Sequence, residues 1–91
     1  MKPAELQDVA DVCHMLGEPT RLSIVAILAK GTRPVNALRR ELKRDQPITS
    51  HHLSLLRMWG LVDRIGKGRE KHYSLNRERL GVVREFLAKL K

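Results

Sequence analysis

The segment from Thr32 to Trp59 constrains the fold of this chain more than any other part of the sequence. Its apolar residues recur at helical spacing on both sides of a polar break, KRDQP, at residues 43–47. This pattern predicts a short helix with Pro34 near its first turn and a second helix over residues 48–59. Two short helices joined by a tight polar turn predict a helix-turn-helix.

The segments on either side of this unit predict a mainly helical architecture. Apolar spacing predicts a helix over residues 4–16 and a central, well-buried helix over residues 17–31. Two short extended segments within residues 61–75, around a basic turn with glycines, predict a β-hairpin. Asn76 is placed to cap a last helix over residues 77–91. We therefore expect a mainly α fold with a small β-hairpin (α+β).

The predicted hairpin concentrates positive charge at its tip. Two glycines, Gly66 and Gly68, lie here among three cations, Lys67, Arg69 and Lys71. Glycines let a backbone approach a partner closely, and cations there neutralise phosphate or enter the minor groove of DNA. A helix-turn-helix inserts its second helix into the major groove, where the N-terminal side chains of that helix meet base edges. Together these features predict a winged helix-turn-helix that binds double-stranded DNA.

The distribution of charge favours the same partner. The 91 residues suit one small domain, residues 1–91, with a formal net charge of +8. The first 18 residues are acidic, with Lys2 against four carboxylates, so the positive charge lies in the rest of the chain. This asymmetry indicates a polyanion bound to one face, with DNA favoured over an anionic membrane surface.

The sequence also bears on cellular location. No apolar run approaches the roughly 20 residues that a membrane-spanning helix needs. The acidic, amphipathic N-terminal segment does not resemble a signal peptide. The one cysteine, Cys13, excludes an intramolecular disulfide and fits a reducing compartment. We therefore expect a cytoplasmic protein with no membrane partner.

Two motifs carry a family resemblance that covers nearly the whole chain. The stretch LGEPTRLSIVAIL resembles the second-helix signature of the ArsR/SmtB family of bacterial repressors. The stretch SHHLSLLRMWGLV, followed by GKGREKHYSL, is similar to the recognition helix and wing of that family. The resemblance implies a homodimer built by the first and last helices, which binds an imperfect DNA palindrome and represses transcription by occluding a promoter.

The two terminal helices carry apolar stripes that agree with such a dimer. A chain of this size could not fully cover both stripes, and exposed stripes of that size usually mark an interface. The residues predicted for the dimer interface are Leu6, Val9, Cys13, Leu80, Val83, Leu87 and Leu90.

The metal sites that are common in the family are missing from this sequence. The resemblance places a Cys-x-Cys motif in the helix before the turn, where this chain has VNALRREL. It places a second type of site along the last helix, NRERLGVVREFLAKLK, which contains no histidine. We therefore expect no metal and no cofactor. An atypical site at Cys13 and His14 is an alternative, but adjacent helical residues diverge by about 100°, and we favour Cys13 as a small buried hydrophobe.

The predicted DNA contacts lie on the recognition helix, just before it and on the wing: Gln46, Ser50, His51, Ser54, Arg57, Lys67, Arg69 and Lys71. His51, at the head of the helix, is expected to contact a base or a phosphate. The resemblance implies that His52 packs instead, with one ring nitrogen hydrogen-bonded.

Pro47 departs from the serine or threonine common in the family and removes a capping hydroxyl. Trp59 and Tyr73 are expected to pack in the core.

The sequence does not support an enzyme. It contains no nucleophile–base–acid set and no phosphate-binding glycine loop, and its acidic residues are scattered. The favoured function is a sequence-specific DNA-binding transcriptional regulator, a homodimeric repressor. The alternative is a winged helix used for protein–protein contact or as an accessory module. Positive charge on both the fourth helix and the wing favours DNA. A basic membrane-surface module is the third option, weakened by the absence of aromatics on a basic amphipathic helix.

Overall fold

A computed structural model describes residues 1–67 and 69–90, apart from the side chain of Lys67. Its elements, in chain order, are α1 (Pro3–Leu16), α2 (Pro19–Leu28), β1 (Arg33–Pro34), α3 (Val35–Leu42), α4 (Gln46–Met58), β2 (Val62–Lys67), β3 (Glu70–Leu75) and α5 (Arg77–Ala88). The mainly helical α+β fold is as predicted. No helix among the described residues is long and apolar enough to cross a membrane.

The sheet has one more strand than the predicted hairpin. Strands β2 and β3 pair in antiparallel register from Val62 opposite Leu75 to Lys67 opposite Glu70. The short strand β1 pairs with the other edge of β3, which gives the order β1-β3-β2. Pro34 therefore lies in an extended edge strand, just before α3, and not in the first turn of a helix. Proline suits this place because an edge strand tolerates the missing N–H donor.

The core is aliphatic and lies between the helices and the inner face of the sheet. Its buried members are Val12, Met15, Ile24, Leu28, Leu38, Leu53, Leu56, Leu61, Val62 and Tyr73. Helix α2 is less buried than its composition suggests, because Leu22 on this helix is 52% exposed. One face of α2, and not its whole circumference, therefore contributes to the core.

Helix α4 begins two residues earlier than predicted. Lys43 ends α3 in a left-handed conformation, with φ of 56°. The Asp45 carboxylate then accepts a hydrogen bond from the backbone N–H of Ile48 at 2.9 Å, which caps the N-terminus of α4. Pro47 lies in the first turn, where no intrahelical donor is needed. Asp45, and not residue 47, therefore supplies the side-chain cap of α4.

Candidate nucleic-acid interface

Helix α4 presents a polar face to solvent because its apolar face is fixed in the core. Thr49, Leu53 and Leu56 are almost completely buried. This phase leaves four of the residues predicted to contact DNA exposed, namely Gln46, His51, Ser54 and Arg57, while Ser50 is half-buried. Thr49 faces inward, and its hydroxyl donates a hydrogen bond to the Asp45 carbonyl at 2.9 Å.

Two cations that the sequence did not single out as DNA contacts flank the start of this helix. Lys43 and Arg44 form the turn between α3 and α4, and both are exposed. Helix N-termini favour anions through their free N–H groups and dipole. The turn therefore adds positive charge beside the end of α4 that is suited to phosphate.

The wing is formed by the β2–β3 hairpin. Arg69 and Lys71 are exposed on it, whereas the side chain of Lys67 and the whole of Gly68 lie outside the described residues. Gly66 pairs with Lys71, whose aliphatic chain crosses it: a Cβ at Gly66 would lie 2.5 Å from Lys71 Cδ. Glycine at this position thus lets the Lys71 side chain lie across the hairpin.

The adjacent histidines of α4 occupy different environments. His51 is exposed, whereas His52 is half-buried, with Nδ1 3.3 Å from Arg21 Nη1 and 3.5 Å from the Glu18 carboxylate. The predicted packing role of His52, with a ring nitrogen hydrogen-bonded, is confirmed. The two rings also meet edge to face, with centroids 5.4 Å apart. His52 therefore supports the ring of its exposed neighbour.

The polar partners of His52 were not predicted from the sequence. The Glu18 carboxylate caps α2 by accepting hydrogen bonds from the N–H groups of Thr20 and Arg21, each at 3.1 Å. The Arg21 side chain is buried, and its Nε donates to the Met15 carbonyl at 2.8 Å. The sequence does contain a pattern that predicts burial of Arg21. This residue lies one helical turn before the core residue Ile24 and therefore on the same inward-facing side of α2.

This environment shifts two pKa values downward. Burial lowers the pKa of His52, and Arg21 acts in the same direction, while the Glu18 carboxylate opposes them. The hydrogen bond from the Thr20 N–H lowers the pKa of Glu18. At neutral pH the network therefore consists of a carboxylate, a guanidinium and a neutral imidazole, which can position neighbouring side chains.

The residues predicted for a dimer interface fall into two groups. Leu6, Cys13, Leu87 and Leu90 are exposed, whereas Leu80 and Val83 are half-buried and Val9 is buried within the chain. The interpretation of Cys13 as a buried hydrophobe is wrong for the single chain, because α1 turns this residue away from α2 and α5. Val9 packs inward on the side of α1 that faces α5.

The aromatic residues also differ from each other. Tyr73 is buried in the core, as predicted. The prediction for Trp59 is wrong, because this side chain is 37% exposed where α4 ends. Trp59 follows the last helical turn, so helical phase no longer directs it inward. Its backbone carbonyl is nevertheless occupied, since it accepts a hydrogen bond from Arg79 Nε at 3.1 Å.

Within residues 1–67 and 69–90, no three histidine, cysteine, aspartate or glutamate side chains come together as a metal-binding group. Cys13 and His14 are both exposed on α1.

Comparison with known proteins finds bacterial and archaeal transcriptional regulators of the helix-turn-helix type. A family model described as "Bacterial regulatory protein, arsR family" matches residues 18–64. The chain is 32% identical over 85 residues to an uncharacterised HTH-type transcriptional regulator of Methanocaldococcus jannaschii, across 92% of this chain and 96% of that protein. It is 36% identical over 74 residues to the HTH-type transcriptional repressor SmtB of Mycobacterium tuberculosis, across 80% of this chain. The match spans only 55% of that repressor's own length.

The fold has a close structural match as well. A homodimeric winged helix-turn-helix DNA-binding domain from Mycobacterium bovis superposes with a TM-score of 0.77 and 29% identity, over 94% of this chain and 82% of that one. The predicted family and the predicted winged helix-turn-helix are both confirmed. The chain belongs to the ArsR family of bacterial regulatory proteins, and it is a DNA-binding transcriptional regulator and not an enzyme.

Proposed function

We propose that this regulator is a homodimeric, sequence-specific repressor that occludes a promoter palindrome. Helix α4 lies in the major groove, and the wing at residues 64–73 contacts flanking DNA. The observation that carries the proposal is the phase of α4: burial of its apolar face fixes an outer face of His51, Ser54 and Arg57 beside a cationic turn. Side chains at the N-terminal part of such a helix meet base edges.

The residues assigned to DNA divide by role. Gln46, Ser50, His51 and Ser54 lie in the first nine residues of α4 and contact bases or nearby phosphates, since glutamine pairs with adenine and serine accepts several partners. Arg57, Lys67, Arg69 and Lys71 neutralise phosphates and fix the register of the protein on the duplex. The two adjacent histidines of α4 thus have different roles: His51 contacts DNA, and His52 supports the ring of His51.

Dimerisation is proposed through α1 and α5. Leu6, Leu87 and Leu90 are exposed apolar side chains on or beside these helices, and removing such surface from water favours association. The structural relative from Mycobacterium bovis is homodimeric. A two-fold axis would place the two α4 helices in major grooves about one helical turn apart, which a palindromic site matches.

The repressor is also proposed to lack the metal sites that are common in the family. Helix α3 has no cysteine or histidine, and α5 has no histidine. Leucine, valine and arginine side chains cannot coordinate a divalent ion in their place. A zinc titration of the protein–DNA complex tests this: the DNA should stay bound, and release at stoichiometric zinc would show that a site exists.

A gel shift tests the proposed function. The purified protein is titrated, at moderate salt, onto a labelled duplex of its own promoter region and onto an unrelated duplex of equal length. The expected result is a clear preference for the promoter duplex, with two chains per shifted duplex. Equal binding to both duplexes would overturn sequence-specific repression and favour an accessory or protein-binding role.

A further inference from the structure

One guanidinium, that of Arg79, contacts three parts of the fold. Arg79 lies in the first turn of α5, and its Nη1 and Nη2 donate to the two carboxylate oxygens of Asp8 on α1 at 2.8 and 2.7 Å. Its Nε donates to the carbonyl of Trp59, where α4 ends. A single side chain therefore joins α1, α5 and the C-terminus of the recognition helix.

The contact at Trp59 closes the end of α4. The last carbonyls of a helix have no partner within the helix, and a cation at this end is favoured by the helix dipole. The next residue, Gly60, is left-handed with φ of 77°, and a Cβ there would lie 3.6 Å from Arg79 Nε. The guanidinium thus packs directly against the turn that leads out of α4.

The position of Arg79 depends on both terminal helices. The Asn76 side chain accepts a hydrogen bond from the Arg79 N–H, which fixes the backbone of Arg79 at the start of α5. The paired hydrogen bonds to Asp8 fix the side chain relative to α1, and they hold the pKa of Asp8 below its ordinary value. A shift of α1 along α5 would therefore draw the guanidinium away from the Trp59 carbonyl.

We propose that Arg79 is a positioning residue that couples the packing of α1 on α5 to the orientation of the recognition helix, and so sets the affinity for specific DNA without contacting DNA. This rests on the proposed function, in which α4 recognises the promoter. The helices that Arg79 joins are also those proposed to form the dimer. The same side chain would therefore make the assembly of the dimer and the placement of α4 depend on each other.

Two substitutions break this contact, one with and one without a change of charge. Asp8→Asn removes a negative charge, whereas Arg79→Lys keeps the charge but lacks the planar guanidinium that reaches the Asp8 carboxylate and the Trp59 carbonyl together. Glu5→Gln is the matched control, because it removes a negative charge from the same helix at an exposed residue. Asp8 and Arg79 are both partly exposed, so the variants should fold, which circular dichroism melting checks.

The measurement is the Kd for the promoter duplex and for an unrelated duplex over a series of salt concentrations. Asp8→Asn and Arg79→Lys should each weaken promoter binding by roughly 2- to 30-fold, and the double variant should be no weaker than the weaker single variant. The salt slope should be unchanged in a third variant, Arg79→Gln, which removes the cation, because the wild-type side chain contacts no phosphate. Glu5→Gln should bind both duplexes at least as well as the wild type.

Three outcomes would overturn the inference. If Asp8→Asn binds the promoter duplex with the same Kd as Glu5→Gln, only the net charge of the protein would determine the affinity. Wild-type affinity for the promoter in Arg79→Lys would show that a cation suffices at this position. An Arg79→Gln variant that binds promoter and unrelated duplexes more weakly by the same factor, with a smaller salt slope, would make Arg79 a phosphate contact. A wild-type protein that shows no promoter preference would instead refute the proposed function itself.

Discussion

At the scale of single residues, His52 packs against the exposed ring of His51, the side chain that we propose contacts DNA. Its ring lies between the Arg21–Glu18 network and the exposed ring of His51. Burial disfavours the charged imidazole, although the Glu18 carboxylate partly compensates. The cationic groups that face the ring, Arg21 and Arg44, also oppose its protonation. The His52 ring, in the second turn of α4, is therefore neutral at pH 7.

This environment predicts a pH dependence of stability. The pKa of His52 is lower in the folded chain than its usual value of about 6.5, so the unfolded chain binds more protons in this range. The contribution of the neutral ring is fully present above about pH 6.5 and decreases as the pH falls below that value. His52→Gln should flatten this dependence in urea unfolding measured between about pH 5 and pH 7.5.

The control for that experiment is His51→Gln, which changes the exposed ring beside His52. Subtracting the free energy of unfolding of His52→Gln from that of the wild type at each pH isolates the contribution of His52. The other titrating groups of the chain, including Glu18, whose own pKa is lowered, are present in both proteins. A pH dependence that is the same in wild type and His52→Gln would contradict the assigned environment of the ring.

At the scale of elements, most of the architecture could be predicted from periodicity. The phase of Thr49, Leu53 and Leu56 fixed the inner face of α4, because burial follows helical spacing. Strand β1 could not be predicted, since two residues carry no period and their partners on β3 lie 40 and 38 residues away in the sequence. The sequence predicts the start of α4 two residues too late, because a proline in the first turn of a helix resembles a helix boundary.

The wing gives a prediction at this scale. Arg69→Ala should weaken binding to promoter and unrelated duplexes by the same factor, because phosphate contacts carry no sequence information. It should also reduce the slope of log K against log salt by about one. Arg84→Ala, which removes an exposed cation from α5, is the matched control and should leave the slope unchanged. An unchanged slope in Arg69→Ala would exclude a phosphate role for Arg69.

At the scale of the whole molecule, polar contacts between distant segments hold the helices in place. Asp8 and Arg79 are 71 residues apart in the sequence, and Arg77 Nη2 donates to the Ala29 carbonyl at 2.6 Å. No local pattern predicts such pairs, because each residue alone resembles an ordinary surface charge. The apolar stripes of α1 and α5 were predictable, but their division into buried and exposed residues depends on how the two helices pack together.

The exposed part of those stripes gives a prediction about assembly. Leu87→Asp should convert the proposed dimer into a monomer and abolish specific DNA binding, since a charge would be buried in the proposed interface without a partner. Leu22→Asp is the matched control, because Leu22 on α2 is nearly as exposed as Leu87. Sedimentation velocity measures both variants. A dimeric Leu87→Asp, or a monomeric Leu22→Asp, would place the interface elsewhere.

The central claim is that the outer face of α4, presented twice by a dimer, recognises a DNA sequence. The most direct test is selection of duplexes from a random-sequence pool by the wild-type protein and by His51→Ala in parallel. We expect the wild type to enrich two symmetric half-sites about one helical turn apart, and His51→Ala to enrich the same arrangement with relaxed base preference in each half-site. A pool that the wild type does not enrich, or an asymmetric motif that the substitution leaves unchanged, would contradict the account.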